Sequence, residues 1–419
     1  MGVAGAVAAV LVAGAGAPVS VPSGGGARAA DAATVPSRGY PPQMVQRAYG
    51  VSPLLREGVD GRGETVVLPE TLPPGGGGAT DIRQDLTAFD SRYHLRRVDL
   101  TLGRALRFTG DISLADSEEV QDTEAVHAIA PAAKIRIMLV PFQTFTRPPD
   151  LAPLFHAAAR LGNVVSFSQS ECESRGCLSA EQLRSLSRAL RVARDRHVSV
   201  FASAGDTGAA TGNVRGVNGP ASSPLVTGVG GTTLALRHDG QYGSESVWND
   251  NVPNASSSGA RLSAGGGGVS FRFARPGYQR GLLGIGDHRG VPDVAAVAEP
   301  GMATVLVRDG HERVYAGGGT SESAPLWAGI AALADQDAHR QLGFLNEGLY
   351  RIGHSTQYHR AFHDITRGDN TVTFPSGANI GGYRARPGWD LVTGWGTPNA
   401  QVLVPLLGKD VHSGDGRGL

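Results

Sequence analysis

Residues 164–206 read VVSFSQSECESRGCLSAEQLRSLSRALRVARDRHVSVFASAGD. Two short apolar runs, 164–168 and 198–203, flank a longer polar stretch. The runs have the length and composition of buried strands. Within 179–194, Leu183, Leu186, Leu190 and Ala193 recur at helical spacing and define one apolar face. The segment therefore reads as strand, helix, strand. Working outward, the same alternation continues upstream: a strand at 64–70, a helix around 81–89, a helix over 117–130 halted by Pro131, and a strand at 134–140. This spacing predicts an α/β fold with a mostly parallel sheet and helices on both faces. In such sheets, sites form beyond the carboxyl ends of the strands, where Glu70, Ser168 and Asp206 all fall.

The chain has 419 residues, enough for one large domain or two ordinary ones, and 60 Gly with 25 Pro indicate a loop-rich globular protein. Lys plus Arg equals Asp plus Glu at 38 each, so charge provides no argument for a nucleic-acid or membrane-surface partner. The apolar run 2–17 ends in Ala15-Gly16-Ala17, a small-x-small cleavage pattern, and is too short and Gly-rich for a transmembrane helix. Export to a secreted, extracellular location is the expectation. The divisions are then a signal-like and linker segment 1–39, a globular domain 40–407 and a tail 408–419. The two cysteines, Cys172 and Cys177, are spaced to close a small disulfide loop in an exported protein.

Three stretches carry chemistry. In 318–325, GGTSESAP, glycines precede Ser321 and an apolar helix follows, so Ser321 sits at a helix N-terminus. Backbone N–H groups there can hold an oxyanion, although a serine at that junction also serves as an ordinary helix cap. In 118–124, EEVQDTE, Glu118 and Asp122 are one helical turn apart and share a face, whereas Glu119 and Glu124 read as surface charges. A solvated acidic face is the competing reading. His127 lies on the same helix but outside any H-G-T-H setting, and reads as a structural histidine. In 203–209, SAGDTGA, Asp206 ends a buried strand, as a loop cap, a calcium ligand or a site residue.

Together these strings resemble the sedolisin (serine-carboxyl peptidase) family. The G-T-S-x-x-x-P string is similar to the nucleophile motif shared by subtilisins and sedolisins, the E-x-x-x-D helix to the sedolisin acid–base pair, and S-x-G-D-x-G to its oxyanion-hole segment. Other stretches fit as well: 219–224, 226–232, 265–270, 289–294, 343–346 and 393–399, so the resemblance runs over about 40–407. It implies a subtilisin-like fold and an acid-acting, secreted serine-type endopeptidase. In this reading Ser321 is the nucleophile, Glu118 and Asp122 form the acid–base pair, and Asp206, protonated, donates to the oxyanion. Protein or peptide substrates, no nucleic acid, no stable membrane association and a monomer are expected. The rival readings are a non-catalytic peptide- or partner-binding protein on the same scaffold, and a subtilisin-like peptidase using His127.

The resemblance also implies one structural Ca²⁺, held by Asp364 and Asp390 with the carbonyls of Ile365, Arg386 and Gly388, an oxygen-only shell suited to that ion. Several positions depart from the family pattern. Gln121 stands where leucine is usual, Gln169 where some relatives have tryptophan, and Arg386 where glycine is frequent. Glu70 aligns with an auxiliary glutamate of some relatives. About 39 residues precede the globular region, short of the pro-domain most members carry.

Overall fold

Strand β1 (Thr65–Glu70) is buried over five of its six residues. Its side chains point alternately to two cores: Val66 and Leu68 join one apolar cluster, Val67 another. A strand covered on both faces must be apolar throughout, which is why this one reads as a continuous run. The chain is described here from a computed structural model covering residues 37–72, 79–145, 150–173, 178–212, 214–250, 263–374 and 376–409. The apolar run 2–17, most of the linker, Cys177 and all but the first two residues of the tail lie outside the described residues.

The remaining sheet strands are β2 (Asp99–Arg104), β3 (Lys134–Leu139), β4 (Val164–Phe167), β5 (Ser199–Ser203), β6 (Thr227–Leu236), β7 (Tyr242–Val247) and β8 (Val294–Val297). Their order is β7–β6–β5–β4–β1–β3–β2, with β8 also paired to β6. Every pairing is parallel except β6 with β7. The register aligns Val66 with both Ile135 and Val164, so β1, β3 and β4 end near one another. Strands β2, β6, β7 and β8 are additions to the sequence-based reading. In β2 the outward positions are exposed, which hides it from an apolar-run criterion.

Helices cover both faces. On one, α1 (Ile82–Tyr93), α2 (Ser117–Ile129) and α4 (Gly319–Asp337) enclose the larger core; on the other, α3 (Ala180–Asp195) packs Leu186, Leu190 and Ala193 against Val165, Phe167, Val200 and Ala202. Helix α3 begins at a capping box made by Ser179 and Gln182. Helix α1 runs one turn past the expected Phe89, because Tyr93 continues the buried edge by meeting the Phe89 ring at 5.1 Å. A hairpin of β9 (Ala303–Arg308) and β10 (His311–Ala316) leads into α4.

Helix α4 is buried on every side from Thr320 to Asp335. Its crossing with α2 is close: a Cβ on Gly329 would lie 2.7 Å from the Ile129 Cβ, so only glycine fits. This contact sets the spacing of the two helices that carry the candidate catalytic groups. No helix among the described residues is long and apolar enough to cross a membrane.

Candidate active site

Helix α2 starts at Asp116, whose side chain accepts from the Glu118 and Glu119 N–H groups while Glu119 reaches back to the Asp116 N–H. Glu119 is thus consumed as the capping-box carboxyl, leaving Glu118 free to project with Asp122 from one face. The expectation that Glu119 and Glu124 are surface charges is wrong. Both are buried, because α2 is enclosed by α1, α4 and β9; Glu124 accepts from the Val305 N–H of β9 at 3.0 Å. His127, on the same helix, faces away from the site. It is fully buried, with Nε2 2.9 Å from both an Asp90 carboxylate oxygen and the Arg96 carbonyl. The structure does not bring it to Ser321.

Ser321, Glu118, Asp122, Asp206 and Glu70 are brought together at the carboxyl ends of β1, β4 and β5. The Ser321 hydroxyl is hydrogen-bonded to the Glu118 carboxyl and lies 3.4 Å from the Ser168 carbonyl. Burial, then the Asp122 charge, pushes Glu118 well above the ordinary carboxylate range, and the Ser321 bond only partly offsets this. Asp122 is raised to about 8 by burial, against the lowering effect of hydrogen bonds with Ser168 and Glu70. Glu70, buried at the end of β1, is raised well above its usual value by burial and by the charge of Asp122. Three carboxyl groups in a shared low-dielectric site cannot all ionise, so they titrate as one unit.

Pro325 explains a further contact. It has no N–H, so the Ser321 carbonyl four residues earlier receives no helical hydrogen bond from it. The Ser168 hydroxyl donates to that carbonyl at 3.1 Å and is also in short contact with Asp122. One hydroxyl proton cannot serve both acceptors, so while Ser168 donates to the Ser321 carbonyl it can only accept from Asp122, which then carries the proton. Sequence reading placed Ser168 at a strand end without a role. The proline at i+4 from Ser321 was the signal that could have found one.

Asp206 lies past β5 in a different arrangement. Its Oδ1 accepts from the Thr320 N–H at 2.8 Å and the Thr320 hydroxyl at 2.7 Å; that hydroxyl in turn accepts from the Gly205 N–H at 3.0 Å. Burial raises its pKa, and the two Thr320 bonds oppose the shift. With Oδ1 occupied as an acceptor, a bound proton belongs on Oδ2. That oxygen faces Gly319, where a Cβ would come within 2.6 Å of it and where φ is +78°, a left-handed conformation that favours glycine. The helix N-terminus beside it has few free donors: Gly318 N–H binds Gln121, Gly319 N–H the Ala298 carbonyl and Thr320 N–H Asp206. The Ser321 N–H has no acceptor among the described residues. The Asp206 carboxyl, through Thr320, and the unpaired Ser321 N–H thus both lie at the nucleophile turn.

The implied metal ligands also converge. The Gly388 N–H reaches both oxygens of Asp364 at 3.2 Å, and the Arg386 N–H reaches Asp390 at 3.0 Å, so the 386–390 loop joins the two carboxylates. Neither makes an ion pair with a described residue. The carbonyls of Ile365, Arg386 and Gly388 accept no backbone hydrogen bond among the described residues. Two hydrogen-bonded carboxylates without an ion pair, beside three carbonyls without a backbone donor among the described residues, fit a hard, oxygen-seeking cation. No cluster of three His, Cys, Asp or Glu side chains suited to a metal occurs among the described residues.

Comparison with known proteins gives consistent results. Residues 121–351 match the subtilase family. Kumamolisin of Bacillus sp. (strain MN-32) is 33% identical over 379 residues, 88% of this chain and 63% of that protein. Sedolisin of Pseudomonas sp. (strain 101) is 30% identical over 351 residues, 79% of this chain and 56% of that protein. Human tripeptidyl-peptidase 1 is 32% identical over 271 residues, 58% of this chain and 43% of that protein. The chain therefore spans less than two thirds of the length of these relatives. A solved structure of Pseudomonas sedolisin, a serine-carboxyl proteinase complexed with two molecules of pseudo-iodotyrostatin, superposes with a TM-score of 0.72 at 26% identity, covering 90% of this chain and 99% of that one.

Proposed function

The chain belongs to the sedolisin branch of the subtilase family, and from that premise we propose that it is an acid-acting serine-carboxyl endopeptidase that cleaves peptide bonds through an acyl-enzyme on Ser321. The observation that carries this reading is the Ser321 hydroxyl bonded to Glu118, a carboxyl on the same helix as Asp122, while His127 is engaged elsewhere.

In this mechanism Glu118 accepts the Ser321 proton as the oxygen attacks the scissile carbonyl, then returns it to the leaving amine. Asp122, with Glu70 behind it, keeps a proton in the site and stabilises the charge that Glu118 carries. Asp206, as a neutral acid, and the Ser321 N–H donate to the tetrahedral oxyanion. Water then resolves the ester. Proton counting requires Glu118 ionised and Asp206 protonated at once, which supports a bell-shaped pH profile.

A Ca²⁺ ion held by Asp364, Asp390 and the carbonyls of Ile365, Arg386 and Gly388 would supply charge compensation and tie the 386–390 loop to the body of the domain. The segment 2–17 supports export, and a domain over 40–407 acting as a monomer on protein or peptide substrates completes the proposal.

The test is cleavage of a denatured protein at about pH 4 in the presence of pepstatin. Ser321→Ala and Glu118→Ala should each abolish it, and Asp206→Ala should slow it about 10²–10³-fold. Full activity in the Glu118 variant together with loss in His127→Ala would overturn the proposal in favour of an imidazole base.

A further inference from the structure

Gln121 projects from α2 between Glu118 and Asp122 and is nearly buried. Its amide makes two hydrogen bonds to a single residue: Nε2 donates to the Gly318 carbonyl at 3.0 Å, and Oε1 accepts from the Gly318 N–H at 2.9 Å. The neighbours of Gly318 are held by backbone, Gly317 N–H by the Met302 carbonyl and Gly319 N–H by the Ala298 carbonyl. Gly318 alone in this run has both polar groups satisfied by a side chain. One hydrogen bond acts as a pivot, whereas two to the same peptide residue fix both distance and orientation.

Gly318 caps the helix that begins Gly319-Thr320-Ser321, and Gln121 shares a helix with Glu118 and Asp122. We propose that Gln121 is a positioning residue for the peptidase reaction, an amide clamp that holds the nucleophile turn against the helix bearing the proton acceptor. The inference rests on the Ser321–Glu118 reading. The clamp adds no charge to a site crowded with acids: Glu118 and Asp122 flank it on its own helix, and from the facing segments come Glu322 beside Gly317, Glu299 beside Gly318 and Asp206 beside Gly319.

This surrounding dictates the test. Gln121→Met keeps the volume and removes both bonds. It is expected to lower kcat about 10- to 100-fold with KM within about threefold, since a small displacement of reacting groups costs rate more than binding. Gln121→Glu restores the clamp only while protonated, when its hydroxyl donates to the Gly318 carbonyl and its other oxygen accepts from the N–H. Its activity should stay within about threefold of the parent at the acid end and fall more steeply than the parent as pH rises. Hydrogen exchange of the peptide containing Gly318 to Ser321 should speed up in the Met variant, a readout independent of turnover. Unchanged kcat in Gln121→Met, a parent-like pH profile in Gln121→Glu, or unchanged exchange would each overturn the clamp. A parent protein that cleaves nothing in a Ser321-dependent way would instead overturn the peptidase reading, and exchange would still decide the clamp.

Discussion

Replacing Asp206 by Asn isolates the property on which the oxyanion assignment depends, the ability to donate while neutral. In the parent, Oδ1 accepts both Thr320 bonds, at 2.8 and 2.7 Å, which leaves Oδ2, beside Gly319, as the oxygen that would carry a proton. Asp206→Asn keeps an oxygen acceptor for Thr320 and puts an N–H donor where the acid proton was. Asp206→Ala removes the donor, expected to cost about 10²–10³ in kcat, and leaves two buried Thr320 donors unpaired, destabilising the fold by about 1–3 kcal/mol. The Asn variant should therefore keep kcat within about tenfold of the parent on the acid side. The sign of its pH dependence follows from burial. Because the folded-state pKa of Asp206 is raised, the parent's donor is present below that pKa and disappears as pH rises through it. The Asn donor does not titrate, so the alkaline limb of kcat should move to higher pH. An internally quenched peptide, followed over about pH 3 to 8 with kcat and KM resolved, makes the measurement. An Asn variant that folds but is as slow as the Ala variant at every pH refutes the reasoning that a neutral donor is what the site needs.

Stability should decline as pH rises from about 4. Asp122 and Asp335 hold protons to about 8 and 7 in the fold, against 3.8 when unperturbed, so the native state binds more protons than the unfolded chain between those values. Each such group lowers stability by about 1.4 kcal/mol per pH unit over its window, and a Tm that rises toward neutrality would contradict this. Arg289 and Asp293 form a fully buried ion pair at 2.5 Å, with Asp293 also accepting from Tyr350 and the Gly228 N–H. Arg289→Met strands that carboxylate and should cost about 3–5 kcal/mol in denaturant unfolding; a loss near zero would show that the network needs no cation. Chelation should lower the Tm of the parent protein but leave an Asp364→Asn variant unmoved, as differential scanning fluorimetry with and without added Ca²⁺ can check.

Much of the site was legible because its signals are local. Turn glycines before a serine, a one-turn spacing of Glu118 and Asp122, and an aspartate past an apolar run all follow from helix and strand periodicity, and the same periodicity gave α3, β4 and β5 within a residue or two. Choosing Glu118 over Glu119 also needed only the i, i+4 relation.

Other features depended on which surfaces meet across long separations. The acidic run on α2 looks solvated in sequence, yet Glu119 and Glu124 are buried because α1, α4 and β9 close around the helix. Nothing near Gln121 announces Gly318, which lies 197 residues away, and Ser168 gains its role only when β4 ends beside Asp122 and the unpaired Ser321 carbonyl. Propensity and spacing act within a turn or a strand. The partner across the interface, and with it the burial that raises these carboxyl pKa values, exists only once the sheet and its two helical layers have assembled.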